Sequence, residues 1–221
     1  MNGKIIMLKI YCINLEKRSD RWSQIQLNFQ LKGLPASMVQ RWNAIPDEEF
    51  GALGCAKSHV AVLANFLTKD NEPYCLILED DFEFIRPWNE FIERFNEIAG
   101  QSIEWDALLL TGTQVLAYGP QLPGVAKVLE AQTTAGYFLS RRYAAQVLGC
   151  FAESVSQMEL MRDKLPNSWL IQHYAIDVAW KYLQRRDRWY IFSPAFGRQR
   201  PGFSDIENCE VSYDKLTYGL I

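Results

Sequence analysis

The run Cys75-Leu76-Ile77-Leu78-Glu79-Asp80-Asp81-Phe82 passes from an unbroken apolar stretch to three consecutive carboxylates, and no other segment constrains the fold as much. A short continuous apolar run suits an inner strand of an α/β sheet, which is covered on both faces. Open α/β sheets bind ligands at the carboxyl ends of their strands, where Glu79, Asp80 and Asp81 would lie. Adjacent carboxylates repel one another and resist burial unless water, hydrogen bonds or a cation offsets them. A hard divalent cation is the sharpest solution. The plainer alternative is that the acids cap the next helix or sit in a solvated turn.

The rest of the chain alternates short β-rich runs with helical periods, which favours an α/β sheet over an all-α or all-β architecture. Strands are expected at 8–15, 75–78, 105–110, 136–140 and 189–192. Helices are expected at 19–32, closed by Gly33-Leu34-Pro35, over Leu53 to Leu67, and at 88–98, 140–151 and 176–184. The turn-rich stretch 117–124 reads as an active-site flap or an inert hairpin, and 153–170 has no clean period. The 221 residues suit a single domain spanning 1–221, with 193–221, rich in Gly, Pro and polar residues, as a mobile tail or lid.

A formal net charge of -3 without a long basic stripe argues against a nucleic-acid partner. The five cysteines are widely spaced and form no C-x-x-C pair, so neither a disulfide framework nor a zinc knuckle is expected, and a reducing, cytoplasmic compartment is the simplest. Residues 1–10 are too short in apolar length for a signal peptide or membrane span. A membrane-bound substrate would be met from solution at the inner membrane surface, by peripheral association or through a partner.

Five separated motifs occur in order: Ile13-Asn14-Leu15-Glu16-Lys17-Arg18-Ser19-Asp20-Arg21, Gly51-Ala52-Leu53-Gly54-Cys55-Ala56-Lys57-Ser58-His59, Leu78-Glu79-Asp80-Asp81, Thr134 to Ser140, and Ile176-Asp177. Together they resemble glycosyltransferase family 25, which includes lipooligosaccharide and collagen hydroxylysine galactosyltransferases. The resemblance implies a GT-A-type, Rossmann-like α/β fold with a mixed, mostly parallel central sheet. It also implies a UDP-galactose or UDP-glucose donor, manganese or another divalent cation, and inversion at the anomeric carbon. The acceptor would be a hydroxyl of a glycan, lipooligosaccharide or glycoprotein, and lipopolysaccharide biosynthesis one setting for it.

On that resemblance Asp81 and Glu79 are assigned to the metal, with Glu79 or Asp80 on the ribose or a metal-bound water. The first acid is Glu where the general GT-A pattern has Asp, which leaves the individual roles open. Asn14, Arg18 and Arg21 follow the first strand, and the two guanidinium groups match a diphosphate. The alternative for that loop is a solvated helix start. Gly51 and Gly54 bracket a helix start whose N–H groups could approach phosphate or sugar, with Ser58 and His59 behind them. A lone histidine on a helix is also a common structural residue. Arg198 and Arg200 suit a lid over the diphosphate, although Ser204 with Glu207 also reads as a capping box opening a terminal helix.

An inverting transfer needs a base for the acceptor hydroxyl, and Asp177 is the candidate. Asp177 is equally a helix cap paired with Lys181, in which case Asp80, Asp205 or His59 would have to serve. A catalytically silent relative acting as a binding or adhesion module is the alternative from a different class. A Rossmann oxidoreductase is disfavoured because no G-x-G-x-x-G follows the first strand.

Overall fold

The computed structural model describes residues 7–100, 104–122, 124–207 and 209–219. The expectation for the extreme N-terminus falls largely on residues 1–6, outside the described residues, as do Pro123 of the turn-rich stretch and Asn208, Leu220 and Ile221 of the tail. The first half of the chain runs β1 (Leu8–Asn14), α1 (Ser19–Lys32), β2 (Val39–Asn43), α2 (Gly51–Lys69), β3 (Tyr74–Glu79), β4 (Phe82–Phe84) and α3 (Trp88–Ala99). It continues through β5 (Ala107–Leu109), β6 (Thr113–Leu122), β7 (Val125–Gln132), β8 (Gly136–Ser140), α4 (Arg141–Met161), α5 (Asn167–Tyr174), α6 (Ile176–Ala179) and α7 (Lys181–Arg186). It ends with β9 (Trp189–Phe192), β10 (Gly197–Gln199), β11 (Gly202–Ser204) and β12 (Cys209–Val211).

Eight strands form one sheet in the order β2-β1-β3-β8-β5-β9-β7-β6. The sheet is mixed and mostly parallel in direction: β7 and β8 run against the other six strands. Side chains alternate across it as a pleated strand requires. Ile10 and Cys12 of β1, with Leu76 and Leu78 of β3, face the layer containing α1 and α3. Tyr11, Ile13, Cys75 and Ile77 face the layer containing α2 and α4. Both faces are therefore apolar, which is why β1 and β3 read as continuous hydrophobic runs. Gly33 closes α1 at φ +78°, and Leu34 N–H bonds to the Phe29 carbonyl at 2.9 Å, so α1 ends where the Gly-Leu-Pro signal placed it.

Three stretches differ from expectation. Residues 153–170 complete α4 and begin α5; α4 packs against α2, α5 and α6, so its apolar positions do not form one stripe. The helix expected over 176–184 is broken into α6 and α7 at Trp180, which is fully buried and donates its indole N–H to the Ala131 carbonyl at 2.8 Å. Residues 117–122, by contrast, belong to the β6–β7 hairpin at the sheet edge, the second of the two forms expected for that stretch. In the tail, Ser204 Oγ accepts the Glu207 N–H at 3.1 Å, but it closes the turn between β11 and β12 and opens no helix.

Candidate active site

The carboxyl end of β3 delivers the three acids, and the aromatic residue after them fixes their position. β4 pairs with β10, while Glu79 N–H bonds to the Ala135 carbonyl at 2.9 Å and Arg200 N–H to the Asp81 carbonyl at 2.7 Å. The Phe82 ring is seated where Gly136 and Gly197 have no Cβ; a side-chain carbon at either glycine would overlap the ring. The acid turn is thus clamped between β8 and β10.

The three acids have different surroundings. Asp80 is taken up by the β1 loop: Arg21 donates to its Oδ1 at 2.9 Å and Asn14 to its Oδ2 at 2.6 Å. Asn14 itself is buried, donates also to the Arg18 carbonyl at 3.1 Å and accepts from Arg41 Nε at 3.0 Å. Arg18 pairs with Asp20 at 3.0 Å and with Asp205 of the tail at 2.5 Å, and Arg21 also reaches the Phe203 carbonyl. Asn14 and Arg21 therefore meet at Asp80 of the acid turn, and Arg21 and Arg18 join the β1 loop to the tail.

Glu79 accepts from Thr134 Oγ1 at 2.5 Å and lies 3.2 Å from His59 Nε2, while His59 Nδ1 is 2.8 Å from the Tyr137 hydroxyl. In the neutral tautomer that satisfies this chain, Tyr137 donates to Nδ1 and Nε2–H donates to Glu79. Burial works to raise the Glu79 pKa, but the His59 and Thr134 bonds and the charge of Arg21 prevail and hold it below the ordinary value. Asp81 goes the other way: burial, then Glu79 and Asp80, push it up to about 7. Its Oδ2 accepts from Gln199 Nε2 at 3.0 Å, whereas Oδ1 is buried with no hydrogen-bond partner. Burial also raises Asp80, against the pull of Arg21 and Asn14.

Two adjoining cavities meet at this turn. One, of about 330 Å³, lies over the ends of β1 and β3 and is lined by Asn14, Lys17, Arg21, Asp80 and Asp81 among others. The second, of about 810 Å³, lies toward α5, α6 and the tail and is lined by Asp177. Glu79, Cys55, Gln199, Ser204 and Ile206 border both. Asp177 Oδ2 accepts the Thr133 N–H at 3.1 Å, and burial, then the charge of Glu79, raises its pKa. Thr133 sits at φ +72°, a conformation that costs a β-branched residue free energy, and its Oγ1 donates to Gln199 Oε1 at 3.0 Å. Gln199 and Thr133 thus connect Asp81 of the smaller cavity to Asp177 of the larger.

The remaining expected site residues are placed as follows. Gly54 lies inside α2, and a Cβ there would be 2.7 Å from the Ile45 carbonyl oxygen, so its glycine permits close packing of the 44–47 loop. Ser58 serves the same loop, accepting from Ile45 N–H at 2.8 Å and donating to the Gly54 carbonyl at 2.7 Å. Arg198 donates to Glu83 at 2.8 Å and approaches Asp214 at 3.4 Å, and Arg200 donates to the Asp80 carbonyl at 3.1 Å. Gln199, Thr133, Thr134, Tyr137 and Arg41 were not singled out from the sequence. Thr134 and Tyr137 lay in a motif that pointed to the site, and Gln199 lay between the two arginines read as a lid.

The chemistry of the donor set bears on the expected cation. The partnerless buried oxygen of Asp81, with Glu79 on the border of the same cavity, suits a hard divalent ion. Among the described residues Cys55, His59 and Glu79 also bring ligand atoms within 4.8 Å of one another. Burial and the surrounding acids hold the Cys55 thiol well above its ordinary pKa, however, which disfavours it as a thiolate ligand. Oxygen donors from Asp81 and Glu79 are the better fit.

Comparison with known proteins establishes the architecture. No protein-family model matches the chain, and no curated protein sequence matches it. A solved structure of a glycosyltransferase involved in the glycosylation of the major capsid of PBCV-1 is similar over 91% of this chain and 96% of its own, at TM-score 0.51 and 12% identity. The structure of mannose-1-phosphate geranyltransferase from Thermus thermophilus is similar over 85% of this chain and 74% of its own, at TM-score 0.50 and 8% identity. The chain therefore has a GT-A-like mixed α/β fold, shared with these structures across very low sequence identity.

Proposed function

We propose that the protein is an inverting, divalent-cation-dependent glycosyltransferase related to family 25, moving galactose or glucose from a UDP-sugar to a hydroxyl of a glycan or glycoconjugate. The observation that carries this reading is the pair of adjoining cavities, one bordered by Asp81 and the other by Asp177, meeting at Glu79 and Gln199. The smaller is the donor side. The larger is the acceptor side. Both neighbours named above are transferases, and the capsid enzyme is a glycosyltransferase by name.

Asp81 and Glu79 would hold manganese or a similar ion, which when bound supplies positive charge to stabilise the departing diphosphate. Lys17 and Arg21 border the same cavity and add their own positive charge for phosphate oxygens. On the acceptor side Asp177 takes the proton of the attacking hydroxyl. The acceptor oxygen forms its bond to the anomeric carbon as the bond to the diphosphate oxygen breaks, and UDP leaves with that electron pair. Burial, by raising the pKa of Asp177, makes it a stronger base than an ordinary aspartate. His59, anchored by Tyr137, orients Glu79 and touches no reacting atom.

The tail, through Arg18–Asp205 and Arg21–Phe203, would close over the donor and exclude water. A screen of nucleotide sugars for slow hydrolysis, with and without Mn²⁺, tests the reading because hydrolysis reports the donor without the acceptor. Mn²⁺-dependent release of UDP from one UDP-hexose is expected. Failure to bind or hydrolyse any nucleotide sugar would overturn the assignment, and tight Mn²⁺-dependent UDP binding without hydrolysis or transfer would identify a silent binding module.

A further inference from the structure

We propose that the acceptor of this enzyme is an uncharged polyhydroxylated glycan end, and that the larger cavity rejects acceptors bearing phosphate or carboxylate at the bound sugar. The inference rests on the donor and acceptor assignment above. It comes from a contrast in lining chemistry.

The smaller cavity is bordered by six carboxylates but also by two cations, Lys17 and Arg21. The larger is bordered among the described residues by no lysine, arginine or histidine. Its polar wall consists of amides and hydroxyls, chiefly Gln114, Gln132, Asn167, Gln172, Thr113 and Ser168. Such groups both donate and accept hydrogen bonds, which is what sugar hydroxyls require, and Ile171, Ile176 and Leu216 offer apolar surface for the C–H faces of a ring. The charges that do border it are Glu79, Asp177 and Glu207, all negative.

Of the basic residues near this wall in sequence, Lys181, Arg198 and Arg200 are held by other partners, and Lys164, His173 and Lys215 are exposed. Lys181 Nζ lies 3.7 Å from Glu130, and Arg198 is shared by Glu83 and Asp214. An anionic acceptor would meet Glu79, Asp177 and Glu207 with no cation on the wall among the described residues to pair it, although Asn167, Ser168 and Gln172 are exposed and leave part of its hydration in place. Like charges under those conditions cost one to two orders of magnitude or more in binding at an effective dielectric of about 20. An uncharged sugar incurs neither penalty. The larger cavity therefore selects against charge as well as for shape.

The test uses the whole chain with the donor first identified by hydrolysis, and a matched set of probes: phenyl β-hexosides, their 6-phosphates and the corresponding uronosides. Transfer is followed as UDP release above the hydrolysis background, and binding in the presence of Mn²⁺ and UDP by saturation-transfer NMR. The neutral member of each set is expected to bind and react at least about tenfold better than its charged partners. Substituting Gln172→Lys should narrow that gap by raising use of the uronoside and the phosphate. Equal or better binding or transfer with the charged members, in an enzyme that hydrolyses its donor, overturns the inference and leaves the transferase reading standing. Absence of donor hydrolysis strikes the transferase reading itself.

Discussion

The two cavities share a wall but are built in opposite ways. In the smaller, Arg21 and Asn14 bond to Asp80, Asp205 of the lining pairs with Arg18, and Lys17 adds a further positive charge. Among the described residues that border it, only Asp81 keeps a buried side-chain oxygen without a partner. The larger is rich in neutral amides and hydroxyls around the half-buried acid Asp177, whose Oδ2 accepts the Thr133 N–H. Burial raises the pKa of Asp80 and Asp81 in the smaller and of Asp177 in the larger, but Asp80 has its oxygens partnered whereas Asp81 keeps one that is not. Unspent electrostatic stress concentrated at one group per cavity is what separates a cation ligand and a base from a structural ion-pair network.

The largest expected effect separates the cavities most cleanly. Asp177→Asn keeps the shape and the bond from Thr133 N–H but removes the proton acceptor. Transfer should fall by about 100- to 10,000-fold while Mn²⁺-dependent UDP binding stays near wild type. In the wild type, the acid limb of the rate against pH should lie above the ordinary carboxylate range, because burial disfavours ionised Asp177. A mutant retaining more than about a tenth of the transfer rate would return Asp177 to a helix-start role and send the search to Asp80, Asp205 or His59.

Asp81→Asn probes the other side. UDP affinity supported by Mn²⁺ should fall at least about tenfold, and affinity within twofold of wild type would remove Asp81 from the cation site. Stability without cation should move oppositely. The folded chain keeps a proton on Asp81 up to about pH 7, whereas the unfolded chain releases it near the ordinary aspartate value. The contribution of Asp81 to folding stability is therefore greatest at low pH and is lost as pH rises through that window. The asparagine variant escapes this loss, so at pH 8 it should be more stable by roughly 2 to 4 kcal/mol, and little different at pH 4. Urea titrations at the two pH values, without metal, read the difference. Equal stability at pH 8 would mean Asp81 is not strained in the fold.

Gln199→Leu tests whether the cavities are coupled. The amide joins Asp81 to Thr133, and Thr133 holds Asp177. Its loss should weaken UDP binding a few-fold and reduce transfer about ten- to a hundredfold, less than either carboxylate alone. The informative readout is the acceptor KM measured at several donor concentrations. If the two sites are linked through this amide, donor should lower acceptor KM in the wild type and not in the variant. An unchanged donor effect would reduce Gln199 to packing.

The legibility of these regions in the sequence was unequal for physical reasons. β8 and β9 fall at their expected bounds and β3 ends where its apolar run ends, because inner strands of a two-sided sheet must be apolar throughout. The first half of α4 falls where a helix was expected, but its continuation to Met161 and α5 escaped, because α4 packs on several neighbours and its apolar residues are not confined to one period. In the site, Asn14, Arg21, Glu79, Asp80 and Asp81 stand together as their motifs suggested. Gln199 lay in the stretch read as a lid, but its bond to Asp81 was invisible. It bonds Asp81 across 118 positions only because β10 pairs with β4, and no local pattern announces such a contact. The two tail arginines illustrate the converse, since their composition suggested phosphate but tertiary structure gave them acids and carbonyls.

That last case supplies the smallest expected effect. Arg198 lies beside the acid turn, and an arginine there would ordinarily be credited with the diphosphate. Its guanidinium instead meets Glu83 at 2.8 Å and Asp214 at 3.4 Å, and these acids raise its pKa, Glu83 foremost. A partly exposed pair of this kind contributes about 0 to 1 kcal/mol, screened by salt. Arg198→Ala should therefore change UDP affinity by less than about twofold and lower stability by no more than that amount, while proteolysis of residues 209–219 becomes faster as the link to Asp214 is lost. A tenfold loss of UDP affinity with unchanged proteolysis would mean that the guanidinium leaves Glu83 when donor binds. The positive charge of the donor cavity would then have to include the tail, and the contrast between the two cavities would be wider than the free protein displays.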